Sequence, residues 1–92
     1  MAAPRFAADP PALRRSLALD GLDAVFHLRS GLTHILAAPA PQILEALAEG
    51  PASAEEILSR IGVHFEVHAE DAPDAIAARL AELEAAGLVW RT

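Results

Sequence analysis

Leu13, Arg15, Leu17 and Leu19 alternate with Arg14, Ser16 and Ala18, a period of two that predicts a strand, and Asp20-Gly21 closes it with a turn signal. Ala24 to Leu36 follows as two runs rich in branched and aromatic residues around Ser30-Gly31, the signature of a β-hairpin. With Ser30 and Gly31 as a two-residue turn, Arg29 opposes Leu32, Leu28 opposes Thr33, His27 opposes His34, Phe26 opposes Ile35 and Val25 opposes Leu36. Alternation then puts Ala24, Phe26, Leu28, Thr33, Ile35 and Ala37 on one face. Val25, His27, Arg29, Leu32, His34 and Leu36 take the other. Neither face is cleanly polar, so both ask for cover, and helices packed on one side supply only part of it. Residues 13 to 37 are thus expected as a three-stranded antiparallel meander with its third strand at an edge.

Beyond Pro39-Ala40-Pro41 the period changes. Ile43, Leu44 and Leu47 form one apolar stripe on a helix predicted over Gln42 to Glu49, with Pro41 in its first turn and Gly50-Pro51 as its stop. Ser53 and Glu56 have the spacing of a capping box ahead of Ile57-Leu58, which predicts a second helix from Ala54 to Ile61. Gly62 to His68 alternates again and reads as a short strand or an extended loop. A third helix, Asp74 to Ala86, carries Ile76, Leu80 and Leu83 on its core face, ends at Gly87, and leads into a short final strand, Leu88 to Arg91. The fold class is α+β and winged-helix-like: a three-stranded meander, three helices and a short C-terminal strand. Residues 1–11, rich in Ala and Pro without a period, read as an extended or frayed lead-in, and 12–92 as a single domain.

Composition narrows the function. Ninety-two residues suit one modest core. Much of the hydrophobic content of 53% is alanine, and no run approaches the roughly 20 apolar residues of a membrane span. No membrane partner and a cytoplasmic location are expected, and the absence of cysteine suits a reducing compartment. A net charge of −6, with arginine as the only basic residue type, repels phosphate backbones and argues against nucleic acid.

Ser30-Gly31-Leu32-Thr33-His34-Ile35-Leu36 resembles the Ser-Gly-x-Thr-His-x-Leu signature of the PqqD-like small proteins that accompany a kinase related to HPr kinase, the HPr-rel-A type. The Pro-started first helix, the Ser-capped second helix and Leu83 to Val89 as Leu-x-x-x-Gly-Leu-Val extend the resemblance over roughly Leu13 to Arg91. It implies a non-catalytic peptide-binding chaperone, a recognition element for ribosomally made peptides. The leader of the precursor would add as a strand beside the third strand, lie against the third helix, and be presented to a modifying enzyme or the HPr-kinase-related kinase of the same system. The peptide-binding candidates are Leu32, Thr33, His34, Ile35 and Leu36 for the ladder and its flanks, Ile76, Leu80 and Leu83 for apolar anchors, and Arg79 for an acidic side chain. The residues Val63 to Asp71 between the second and third helices depart from the family pattern.

Other chemistries fare worse. His27 and His34 lack a third ligand for zinc, and in His64-Phe65-Glu66-Val67-His68 the Glu does not directly follow the first His as a zinc-protease helix requires, so neither a metal nor another cofactor is expected. No Gly-rich phosphate loop occurs, and the serines are not arranged as a nucleophile with base and orienter. A winged-helix order raises DNA binding as the alternative, yet the third helix sets Asp74, Glu82 and Glu84 against Arg79 alone, the wrong sign for a phosphate backbone. A structural homodimer is the other alternative, since the unguarded third strand could pair with a second copy.

Overall fold

The computed structural model describes residues 3–64 and 73–92. Two small sheets and three helices make up the α+β architecture: strands β1 (Arg5–Ala8), β2 (Arg14–Leu19), β3 (Leu22–His27) and β4 (Leu32–Ala37), helix α1 (Ala40–Leu47), strand β5 (Ala52–Ser53), helices α2 (Ala54–His64) and α3 (Pro73–Ala85), and strand β6 (Val89–Arg91). The expected meander is present, antiparallel in the order β2-β3-β4 with β4 at an edge.

A second sheet, β5-β1-β6, was not expected. Arg5 to Ala8 lies inside the stretch read as an extended or frayed lead-in, and here it is the central strand, with Phe6 opposite both Ala52 and Arg91. Phe6 and Ala7 are buried, so burial and pairing on both sides hold a segment whose sequence has no strand period.

The core lies among the helices and this second sheet. Ile43, Leu44 and Leu47 of α1, Ile57 and Ile61 of α2, Ile76, Leu80 and Leu83 of α3, and Leu88, Val89 and Phe6 pack together. Helix ends are satisfied as the sequence implies. The Glu56 amide donates to Ser53 Oγ at 3.3 Å and the Ser53 amide to Glu56 Oε1 at 3.2 Å, a complete capping box. The bond from the Ser53 backbone amide, helped by the Ser53 hydroxyl and the Arg5 and Arg60 charges, holds the Glu56 carboxyl below its ordinary range. Arg60 reaches from α2 to the Ala46 and Gly50 carbonyls at 3.0 and 2.7 Å and so caps α1. At the end of α3 the Leu88 amide donates to the Leu83 carbonyl at 3.0 Å around Gly87, whose φ of +81° closes a Schellman turn.

Two local readings need correction. Gly62 to His64 is helical rather than extended, because Ile61, one turn beyond Ile57, is buried in the core and carries α2 onward. The remainder of the expected extended segment, and the inserted residues beyond His64, lie outside the described residues. In the hairpin the register is displaced by two: His27 opposes Leu32, Phe26 opposes Thr33, Val25 opposes His34, Ala24 opposes Ile35 and Asp23 opposes Leu36. The connection is a four-residue loop, Leu28 to Gly31, closed by the Gly31 amide on the His27 carbonyl at 2.8 Å. His27 and His34 therefore share a face without facing each other.

Candidate functional site

The open edge of β4 can be resolved amide by amide. The Leu28 amide donates to Leu13 at 2.9 Å, towards β2. Backbone groups alternate sides along a strand, so Phe26, Ala24 and Leu22 bond to β2 while His27, Val25 and Asp23 bond to β4. Their partners Leu32, His34 and Leu36 turn their amides inward. Thr33, Ile35 and Ala37 consequently direct theirs outward, where no described strand pairs with them. The edge carries no Lys, Pro or charge that would block another strand.

Beside this edge runs a shallow groove of about 160 Å³ between β4 and α3, lined on one side by Ile35, Leu36 and Ala37 and on the other by Arg79, Glu82 and Leu83. The floor is apolar. At its rim, on α3, Arg79 Nη2 pairs with Glu82 Oε1 at 3.1 Å, both partly exposed. Glu82, Ala37 and the small residues Ala38, Ala40 and Ala86 belong to this groove although no sequence motif marks them. Their signal is only that an alanine leaves room for something else.

Each sequence candidate has a definite place. Thr33 and Ile35 are exposed on the edge strand, Leu32 is exposed where that strand begins, and His34 and Leu36 are half-buried on its inner face. His34 Nε2 is buried with no hydrogen-bond partner among the described residues. Arg79 reaches the groove, and Leu83 lines it from the core with only 2% of its surface exposed, whereas Ile76 and Leu80 are buried in the core away from it.

What holds β4 in position is a cluster that the sequence did not reveal. Asp9, just after β1, accepts from His27 Nε2 at 2.7 Å and pairs with Arg29 Nε at 3.1 Å through its other oxygen. Asp9 and His27 are only 5% and 6% exposed. The other ring nitrogen of His27 meets Ser30 Oγ at 2.8 Å, and Ser30 Oγ accepts from the Leu32 amide at 3.3 Å, at the first residue of β4. Arg14 completes the clamp by donating to the Asp9 carbonyl at 3.0 Å and to the Leu44 carbonyl of α1 at 3.3 Å. Its burial lowers the guanidinium pKa from the ordinary value, opposed by the nearby carboxylates of Glu45 and Asp9. Carboxylate, imidazole and hydroxyl stand in the order of a hydrolase relay, but here the hydroxyl braces a turn. Gly31, with φ of +72°, provides the left-handed corner that this loop requires. Among the described residues no group of three or more His, Asp or Glu is placed to hold a metal ion, and no helix is long and apolar enough to cross a membrane.

Comparison with known proteins now adds to this geometry. No curated protein matches the chain. A solved structure described as TbiB1 in complex with the TbiA(beta) leader peptide shares its fold, with a TM-score of 0.60 and 23% identity over 90% of this chain and 93% of that one. The model of the family described as coenzyme PQQ synthesis protein D matches residues 24–89, from the middle of β3 to the start of β6. The chain belongs to the PqqD family.

Proposed function

We propose that this chain is a non-catalytic peptide-binding chaperone that captures the leader of a ribosomally synthesised precursor by strand addition at β4 and presents it to a modifying enzyme. The observation that carries the reading is the row of outward amides at Thr33, Ile35 and Ala37 beside an apolar groove. An added strand gains main-chain bonds from that row and specificity from side chains that reach the groove. Leu36, backed by the buried Leu83, receives an apolar anchor, and an acidic leader residue competes with Glu82 for Arg79. Ile76 and Leu80 contribute by fixing α3 from behind. The leader-peptide complex of the structurally similar TbiB1 supports this reading. The HPr-kinase-related kinase of the resembling systems is the first enzyme to test as the recipient.

The test is titration of isotope-labelled protein with leader peptides encoded beside its gene. The amides of Thr33, Ile35 and Ala37 and those around Arg79 are expected to shift. Ile35→Pro removes an outward donor, so the fold is retained and leader affinity falls about two- to tenfold, the value of one lost hydrogen bond. His34→Pro removes an inward bond to β3 and lowers stability instead. A leader that binds Ile35→Pro as tightly as the parent, or shifts only resonances remote from β4 and α3, overturns strand addition.

A further inference from the structure

The outer face of the meander, turned away from the helices, is apolar and uncovered. Cross-strand rows Leu17-Ala24-Ile35 and Leu19-Leu22-Ala37 lie side by side on it, with Phe26 in the next row between Arg15 and Thr33. Leu17 is 63% exposed, Ile35 59%, Leu19 43%, Leu22 42% and Phe26 37%. Together they expose on the order of 400 Å² of apolar side chain, within the range of the largest patch on a monomer, and such patches are often functional. The proposed leader site meets this surface only at its β4 margin, Ile35 and Ala37, because a strand added at the edge of β4 extends the sheet and leaves the face of β2 and β3 open.

We propose that this face binds a second copy of the chain, sheet against sheet, in a reversible two-fold dimer whose β4 edges both remain free for leader. Size and charge argue for this occupant. Two such faces, with their rims, bury about 1,000 Å² in all, at the low end for a specific interface and suited to a weak, concentration-dependent dimer. The charged side chains around β2 sit at opposite ends of the strand: Arg15 near its start and Asp20 in the turn after it. Neither belongs to an ion pair among the described residues of the monomer. A two-fold axis lying in the interface across the strands brings Arg15 of one copy towards Asp20 of the other, and stacks the leucine rows between them. The rest of each molecule is acidic, with a net charge of −6, so long-range repulsion opposes association and salt relieves it.

Sedimentation velocity of the full chain over roughly 5 to 500 μM, a range that brackets weak association, tests this at about 0.05 and 0.5 M NaCl. The expected result is a monomer–dimer equilibrium that tightens with salt. Ala24→Glu, on the central strand and so at neither sheet edge, is expected to weaken the dimer at least tenfold with an unchanged circular dichroism spectrum. Thr33→Pro, which removes an outward amide of the β4 edge without touching the two leucine rows, is expected to keep it. In the parent protein, methyl resonances of Leu17, Leu19, Leu22 and Ile35 should move on dilution while those of core Ile43 and Ile57 stay still, a readout independent of any variant's folding. A chain that remains monomeric throughout overturns the proposal, and so does a dimer that Thr33→Pro abolishes, which would place the contact at the β4 edge. Methyl shifts confined to other surfaces overturn it as well.

Discussion

Removing the Asp9 carboxylate should be the most informative single change outside the apolar core. In Asp9→Ala the His27 ring stays buried but loses its partner at 2.7 Å, which combines a lost bond to a carboxylate with an unsatisfied polar atom and costs about 3 kcal/mol. The simultaneous loss of Arg29 matters less, because that side chain is largely in solvent and an exposed pair contributes below about 1 kcal/mol. A domain of this size has a stability of roughly 5 to 10 kcal/mol, so the variant still folds. Its melting temperature should fall by roughly 15 °C. Urea unfolding followed by circular dichroism, with Arg29→Ala as a control, measures the loss. Combining Asp9→Leu with His27→Leu replaces both buried polar groups at once, and the double variant should be less destabilised than the sum of the singles by about 1 kcal/mol or more. If Asp9→Ala costs under about 1 kcal/mol, or if the two substitutions add within about 0.5 kcal/mol, then the pair does not clamp the hairpin. The position of β4 would then depend on Leu36 and α1 alone.

Leu80→Ala, at a side chain with no exposed surface, should cost about 2 to 5 kcal/mol in urea unfolding. For Glu56 the sign follows from its lowered folded-state pKa: its contribution is complete above the ordinary carboxylate range and disappears as pH falls through the folded-state value. Parent protein should therefore exceed Glu56→Gln in melting temperature at neutral pH, and the two should converge in acid. A difference that persists unchanged below the carboxylate range would mean that the charge is not the cause.

Much of this molecule could be read from local sequence because the responsible physics is local. The capping box of Ser53 and Glu56, the Gly87 stop, the apolar stripes of α1 and α3, and the alternation that makes β2, β3 and β4 each depend on residues within one or two turns or a single hairpin. Even the displaced hairpin register kept the two face assignments, since a shift of two residues preserves the alternation of sides. What remained hidden depends on distant partners. Arg5 to Ala8 becomes a strand only because Ala52 and the residues from Val89 to Arg91 arrive beside it, and no short-range period can announce a partner more than forty residues away. The length of the Leu28–Gly31 loop is set with His27, whose ring is held by Asp9 from 18 positions upstream. The same distinction divides the candidate site. Helical spacing put Ile76, Leu80 and Leu83 on one face, but packing decided that all three are consumed by the core, with Leu83 at the point where it borders the groove and Arg79 reaching into it. A helix has one apolar stripe, and only the elements packed against it determine where that stripe meets core and where it meets open space.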